Sequence, residues 1–178
     1  VSNNDPNGFT IETSGTTIRG FVINRFGDDA IEIGTQGGGH TIVGNYLGTD
    51  ASGLITTYGN QYGITVKSDG NRIGGTDAAD RNIISGNSTS GLSFGIGFWQ
   101  DADDNIVQGN YIGVGANGTT AMGNGQGITF QGTPDRNLIG GEILGAGNVI
   151  AFNAHNGVDV INGTSNAIVR NSIHSNTL

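Results

Sequence analysis

Six times along this chain a Gly or Ala is followed by an apolar, a polar and a second apolar residue: Phe9-Thr10-Ile11, Ile31-Glu32-Ile33, Ile64-Thr65-Val66, Leu92-Ser93-Phe94, Ile128-Thr129-Phe130 and Val158-Asp159-Val160. Alternation of this kind marks a short strand with one buried face. The copies begin 22 to 36 residues apart, too close for separate domains and regular enough for a stacked array. The chain reads as a solenoid of about six coils, starting near residues 8, 30, 63, 91, 127 and 157.

Two further ladders run in register with the first. A polar residue followed two positions later by an aliphatic one recurs at Thr16/Ile18, His40/Ile42, Asn71/Ile73, Asn105/Val107, Asn137/Ile139 and Asn166/Ile168. A third series, Ile23, Leu47, Ile84, Ile112, Ile150 and Ile173, follows within each coil. Three strands this short cannot bury their apolar sides within one coil. They do so only if each pairs in parallel with its equivalent in the next, so that the inward aliphatics stack along the axis. A fully buried aliphatic side chain contributes about 1.5–3 kcal/mol, which makes a core credible at 34% hydrophobic residues. The 34 glycines and the corner pairs Gly44-Asn45, Gly86-Asn87 and Gly109-Asn110 fit backbone angles that larger side chains resist. Stacked Asn amides at such corners would bond from coil to coil.

The segments NYLGTDASG at 45–53, NIISGN at 82–87, NYIGVGANG at 110–118 and NVIAFN at 148–153 resemble the repeats of the pectin-lyase-like superfamily, in the form found in large bacterial surface and secreted proteins. The resemblance covers essentially residues 8 to 178. It implies an all-β fold, the right-handed parallel β-helix with three short strands per coil, and an extracellular or cell-surface setting. It says little about activity, because this fold carries lyases, hydrolases, epimerases, tailspikes and adhesins.

Coils alternate in kind. Those starting at Ala30 and Gly91 carry a long connection after the third strand, Thr49 to Tyr62 and Val114 to Gln126. Those starting at Gly63 and Gly127 carry their extra residues between the second and third strands. Long loops are therefore expected to project at every second coil, either as a trace of duplication or as a binding comb. A formal charge of −8, with Lys67 the only lysine, argues against nucleic acid or an anionic membrane as partner. No run of 18 apolar residues exists to cross a membrane as a helix. Zero Cys removes disulfides and thiolate metal sites.

Residues 1–178 read as one array without a cap at either end, so each terminal coil is expected to meet flanking coils of a longer chain or, head to tail, another copy of itself. Three functional classes follow. The first is a non-catalytic structural or adhesive segment, the second a polysaccharide lyase or hydrolase, the third a glycan-binding module.

For a lyase, the resemblance directs attention to acidic and basic residues on the outward face of the first-strand sheet, where Glu12, Glu32 and Lys67 are the charged candidates. A solvated ion pair is the simpler reading of the same three residues. The polygalacturonase pattern is not matched, since His40 lacks a following Gly and no Arg-x-Lys occurs. No cofactor is called for, apart from Ca²⁺ at Asp101, Asp103 and Asp104. The spacing of Asp101, Asp103 and Asn105 opens like an EF-hand loop, but Ile106 and Ile112 replace the required Gly and Glu, leaving only a weaker corner site or a plain acidic turn. The stretch from Gly95 to Gln100 reads as a corner that presents Trp99 and Gln100 to a sugar, or folds Phe98 and Trp99 back as a lid. Tyr46 and Tyr111 should point outward from the third sheet, available to a polysaccharide or a neighbouring subunit. His40 stands where other coils have Asn and reads as an Asn substitute.

Overall fold

The computed structural model describes residues 6–57, 59–88 and 93–177. Its strands, numbered in chain order, form three parallel six-stranded sheets. The first contains β1 (Phe9–Ile11), β4 (Asp29–Ile33), β7 (Tyr62–Val66), β10 (Phe94–Phe98), β13 (Gln126–Phe130) and β16 (Val158–Val160). The second contains β2 (Thr17–Arg19), β5 (Thr41–Val43), β8 (Arg72–Gly74), β11 (Ile106–Gln108), β14 (Leu138–Gly140) and β17 (Ala167–Val169). The third contains β3 (Val22–Ile23), β6 (Tyr46–Leu47), β9 (Ile83–Ile84), β12 (Tyr111–Ile112), β15 (Val149–Ala151) and β18 (Ser172–His174). Every pairing between these strands joins equivalent positions of successive coils, which makes the molecule a right-handed parallel β-helix of six coils. The one helical element among the described residues is a single 3₁₀ turn, Ala78–Asp80.

The register shows why the apolar ladders specify this fold. Ile31, Ile64, Ile96 and Ile128 pair in sequence along the first sheet, and Ile42, Ile73, Val107 and Ile139 do the same along the second. All are fully buried. Phe98 and Phe130 stack inside with ring centres 4.8 Å apart. Only in the last coil do the inward aliphatics Ile168 and Ile173 become exposed.

The corners carry three ladders of side-chain amides. Asn45, Asn82, Asn110, Asn148 and Asn171 form one, and Asn60, Asn87, Asn124, Asn153 and Asn176 another. Each Asn donates from Nδ2 to the Oδ1 of its counterpart in the following coil, 2.8–3.1 Å away. That Oδ1 also accepts the preceding Asn backbone N–H, as from Asn45 to Asn82 at 2.9 Å. The third ladder runs Asn71, Asn105, Asn137, Asn166, and His40 opens it. His40 Nδ1 accepts the Thr16 N–H at 3.0 Å, so the ring stands in for the Asn oxygen. Burial pushes its pKa down, and Nε2 is buried without a hydrogen-bond partner among the described residues. Satisfying amides this deep avoids a cost of about 1–3 kcal/mol per buried group.

Several expectations need correction. Gly91 and Leu92 lie outside the described residues, but the first strand of that coil is Phe94–Phe98 with Ile96 in the ladder position; Ser93 is buried and precedes it. Gly95 to Phe98 is therefore strand and not corner, and Phe98 is core and not a lid. Ile96 lies midway between Ile64 and Ile128, a better spacing than Leu92 offers. Thr65 and Thr129, expected on an exposed face, point outward but are buried, because side chains of the flanking rows fold over them; Thr65 donates to Asp29, and Gln131 donates to Thr129 at 3.4 Å.

The long loops do not project as a comb. Ala116 N–H donates to Gly53 O at 2.9 Å, so the two loops interlock across the intervening coil. They also fold over the third sheet. A Cβ on Gly53 would come within 3.1 Å of the Tyr46 ring, and one on Gly118 within 2.9 Å of the Tyr111 hydroxyl.

Candidate functional site

Strict strand alternation fails at one place in each coil, and the failure builds the site. A Cβ on Gly63 would lie 2.7 Å from Ile84 Cγ2, and one on Gly127 2.7 Å from Ile150 Cγ2, so these glycines face the core. The isoleucines after them face the core too. Two consecutive inward positions turn the residue before the glycine outward. Asp29, Tyr62, Phe94 and Gln126 thus form an outer row beside the row of Glu32, Thr65, Gly97 and Thr129. A third outer row continues past the strand ends through Gly34, Lys67, Trp99 and Gln131, linked by the bonds from Lys67 N to Ile33 O and from Trp99 N to Val66 O, both 2.9 Å.

Where the three rows cross coils two to four they enclose a cleft of about 220 Å³, lined by Asp28, Asp29, Glu32, Tyr62, Thr65, Lys67, Phe94 and Trp99. One wall is aromatic. Tyr62 and Phe94 stack with ring centres 4.4 Å apart, and Trp99 lies 6.3 Å from Phe94 at a 48° tilt. Gly97 makes this possible, since a Cβ there would lie 2.6 Å from the Phe94 ring. Trp99 is half-buried, and its Nε1 has no hydrogen-bond partner among the described residues.

The other wall is acidic. Glu32 is held at both oxygens, by the Lys67 ammonium and by Asn7 Nδ2 at 2.6 Å. Asn7 Oδ1 also accepts the Asp29 N–H at 3.0 Å. Asp29 is buried and accepts the Thr65 hydroxyl bond. Burial is the main cause pushing its carboxyl up to about 7, with Asp28 and Glu32 adding to the rise and Thr65 and Lys67 opposing it. The cleft thus combines an apolar ring face, a carboxyl that exchanges its proton near neutrality, a carboxylate–ammonium pair and a hydroxyl.

The residues singled out in the sequence divide around this cleft. Glu32, Lys67 and Trp99 line it. Glu12 does not; it lies over Gly34 and accepts the Gln36 N–H at 3.3 Å. Gln100 is exposed at the turn after Trp99, with a left-handed φ of 55°. Tyr46 and Tyr111 face outward on the third sheet with Ile83 between them, half-covered by the loops, and Arg81 lies 4.1 Å over the Tyr111 ring. Asp101 accepts a bond from Thr133, and Asp103 accepts the Asp135 N–H at 2.7 Å. Arg136 reaches Asp103 at 3.0 Å and grips both oxygens of Asp104 at 2.9 and 2.8 Å. Its guanidinium holds the Asp104 carboxyl below the usual carboxylate range. Among the described residues no three His, Cys, Asp or Glu side chains converge on a metal position.

Alternation-based reading misses Asp29, Tyr62 and Phe94 as members of the site. The signal that locates them is the recurring Gly-Ile pair at 63–64, 95–96 and 127–128, where a small residue followed by a large aliphatic marks the break in alternation. No family model, curated protein or solved structure matches this chain.

Proposed function

We propose that this chain is a non-catalytic, glycan-binding and adhesive segment of an extracellular or cell-surface β-helix protein of the pectin-lyase-like kind. The observation that carries the reading is the cleft on the first sheet, with an aromatic wall facing a polar one. Sugar rings present apolar C–H faces and a rim of hydroxyls, and this pairing of surfaces answers both. At about 220 Å³ the cleft is smaller than the roughly 300–1,000 Å³ of drug-sized pockets, which suits one ring of a longer glycan. As for partners, the exposed Ile168 and Ile173 continue ladders that are buried elsewhere, and a further coil of the same protein or of a second copy would cover them.

Trp99 is the only tryptophan, so intrinsic fluorescence reports on the cleft directly. Titration with a panel of neutral, acidic and amino-sugar oligomers is expected to shift the emission for at least one class, with the response lost in Trp99→Ala by calorimetry. A panel that leaves both fluorescence and heat unchanged rejects the reading.

A second reading has its own observation. A carboxyl raised to about 7, close to a carboxylate paired with Lys67, is a combination suited to acid–base cleavage of a glycosidic bond. Incubation with pectate, alginate and related polymers, with Ca²⁺, should give no unsaturated product and no new reducing ends if the protein only binds. A reproducible signal that disappears in Glu32→Gln or Lys67→Ala would establish the catalytic reading.

A further inference from the structure

Resting on the glycan-binding reading, we infer that the cleft selects an amino sugar with a free, protonated amine over neutral sugars and over uronates. Of the charged side chains lining it, Asp28, Asp29 and Glu32 are acidic and Lys67 alone is basic. Lys67 is already engaged with Glu32, so the one cation present offsets one of the three carboxyl groups. A uronate ring would bring a further carboxylate beside Asp28, Asp29 and Glu32, and like charges at this range oppose binding. An ammonium meets the opposite situation.

Asp29 gives the preference its location. It is buried in the strand pair β4–β7, its Oδ1 takes the Thr65 hydroxyl, and the Tyr62 and Phe94 rings stand in the same outer row. Ionising a carboxyl in that setting is costly, which is why burial holds it up to about 7. An ammonium placed beside it offsets that cost, forms a charge-assisted hydrogen bond and lies within reach of aromatic faces that attract cations. The charged and titratable groups facing Asp29 are Asp28 and Glu32 from its own strand region, and Tyr62 and Lys67 from the neighbouring coil. Binding of an already protonated amine should therefore drive Asp29 to its ionised form and release its proton to solvent, whereas a neutral amine would take that proton itself. The same cleft leaves a neutral ring only the aromatic face and hydroxyl contacts.

The test uses the whole chain and four oligomers of equal length, built from glucosamine, N-acetylglucosamine, glucose and galacturonate, followed by Trp99 fluorescence and calorimetry. The glucosamine oligomer should bind about tenfold more tightly than the glucose oligomer, the difference made by one charged hydrogen bond. Acetylation should erase the advantage, and galacturonate should bind weakest. The advantage should shrink as salt approaches about 1 M, where the Debye length is about 3 Å. At mildly acidic pH, where the free amine is already protonated, proton release from Asp29 should show as a binding heat that changes with the ionisation enthalpy of the buffer. Asp29→Asn should bring glucosamine affinity down to the range of glucose; should that variant fail to fold, the salt and buffer dependence of the native protein decide. Equal affinity for the glucosamine and glucose oligomers overturns the selection while leaving the glycan reading intact. Silence from all four overturns the glycan reading itself. A lysine-rich peptide that binds as tightly as the amino sugar overturns the assignment to a sugar.

Discussion

Three carboxyl side chains line the cleft, Asp28, Asp29 and Glu32, and three crowd the corner that follows Trp99, namely Asp101, Asp103 and Asp104. The two groups behave in opposite ways. At the corner the chain turns into solvent, the Asp135 N–H, the Thr133 hydroxyl and the Arg136 guanidinium reach the oxygens, and Asp104 is held below the usual carboxylate range. On the sheet Asp29 is buried beside aromatic rings, and its carboxyl is pushed up to about 7. In sequence the corner draws the eye, because its acidic residues are adjacent. In space the sheet holds the unusual carboxyl, because burial outweighs the local count of charges.

The strongest way to extend the comparison is to put a carboxylate where neither solvent nor partner exists. Ile64→Asp places one in the fully buried core directly under Thr65. A loss of at least about 4 kcal/mol is expected, enough to unfold or shorten the array, read by circular dichroism and urea denaturation. Asp29→Asn should come next in size and act in the opposite sense. A carboxyl with a raised folded pKa contributes stability that is full below its unfolded value of 3.8 and is lost as pH rises through about 7. The variant should therefore be more stable than the native protein by about 2–4 kcal/mol near pH 8 and nearly equal to it near pH 4. An equal gain at both pH values would show that Asp29 is not titrating in the fold.

His40 supplies the acid limb. Its pKa is lowered by burial, so its stability contribution is full above 6.5 and is lost as pH falls below that value. His40→Asn should complete the amide ladder and flatten the decline in urea midpoint between about pH 7 and pH 5. The smallest effect belongs to the corner. Arg136→Gln should lower the melting temperature slightly, and salt near 1 M should remove the difference, because the carboxylates it serves are solvated. A large, salt-resistant loss would show that the corner carboxylates are not solvated.

Two of the three sheets were legible in the residues alone, because a polar residue two positions before an aliphatic one, and the third aliphatic series, recur at every coil. The first sheet was misread at one coil. Leu92-Ser93-Phe94 imitates the repeat, whereas the true member, Ile96-Gly97-Phe98, carries Gly where the pattern expects a polar side chain. That same Gly97 leaves room for the Phe94 ring, so the position that hid the strand also shapes the cleft. Glu32 and Lys67 were recognisable as outward charges, and their ion pair follows from adjacent coils. Asp29 and Tyr62 were not, because they depend on two successive inward residues at each Gly-Ile step, which a two-residue period cannot express. The interlocking of the long loops was hidden for a related reason. The two-coil period places the loops around Gly53 and Ala116 at equivalent positions, but nothing in it says that they bend towards each other and bond.

The amide ladders limit how such a molecule changes length over evolutionary time. Each Asn amide donates to the Asn oxygen of the following coil and to a backbone carbonyl of the preceding one, so the columns have a direction, like a row of identical arrows. Insertion or deletion of one complete coil leaves three arrows meeting three arrows of the same sense, whereas a fraction of a coil interrupts all three columns at once. Because the loops around Gly53 and Ala116 clasp across an intervening coil, removing a single turn would also separate that clasp. Gain and loss of sequence should therefore proceed in pairs of coils, making the two-coil block the unit in which this architecture is copied.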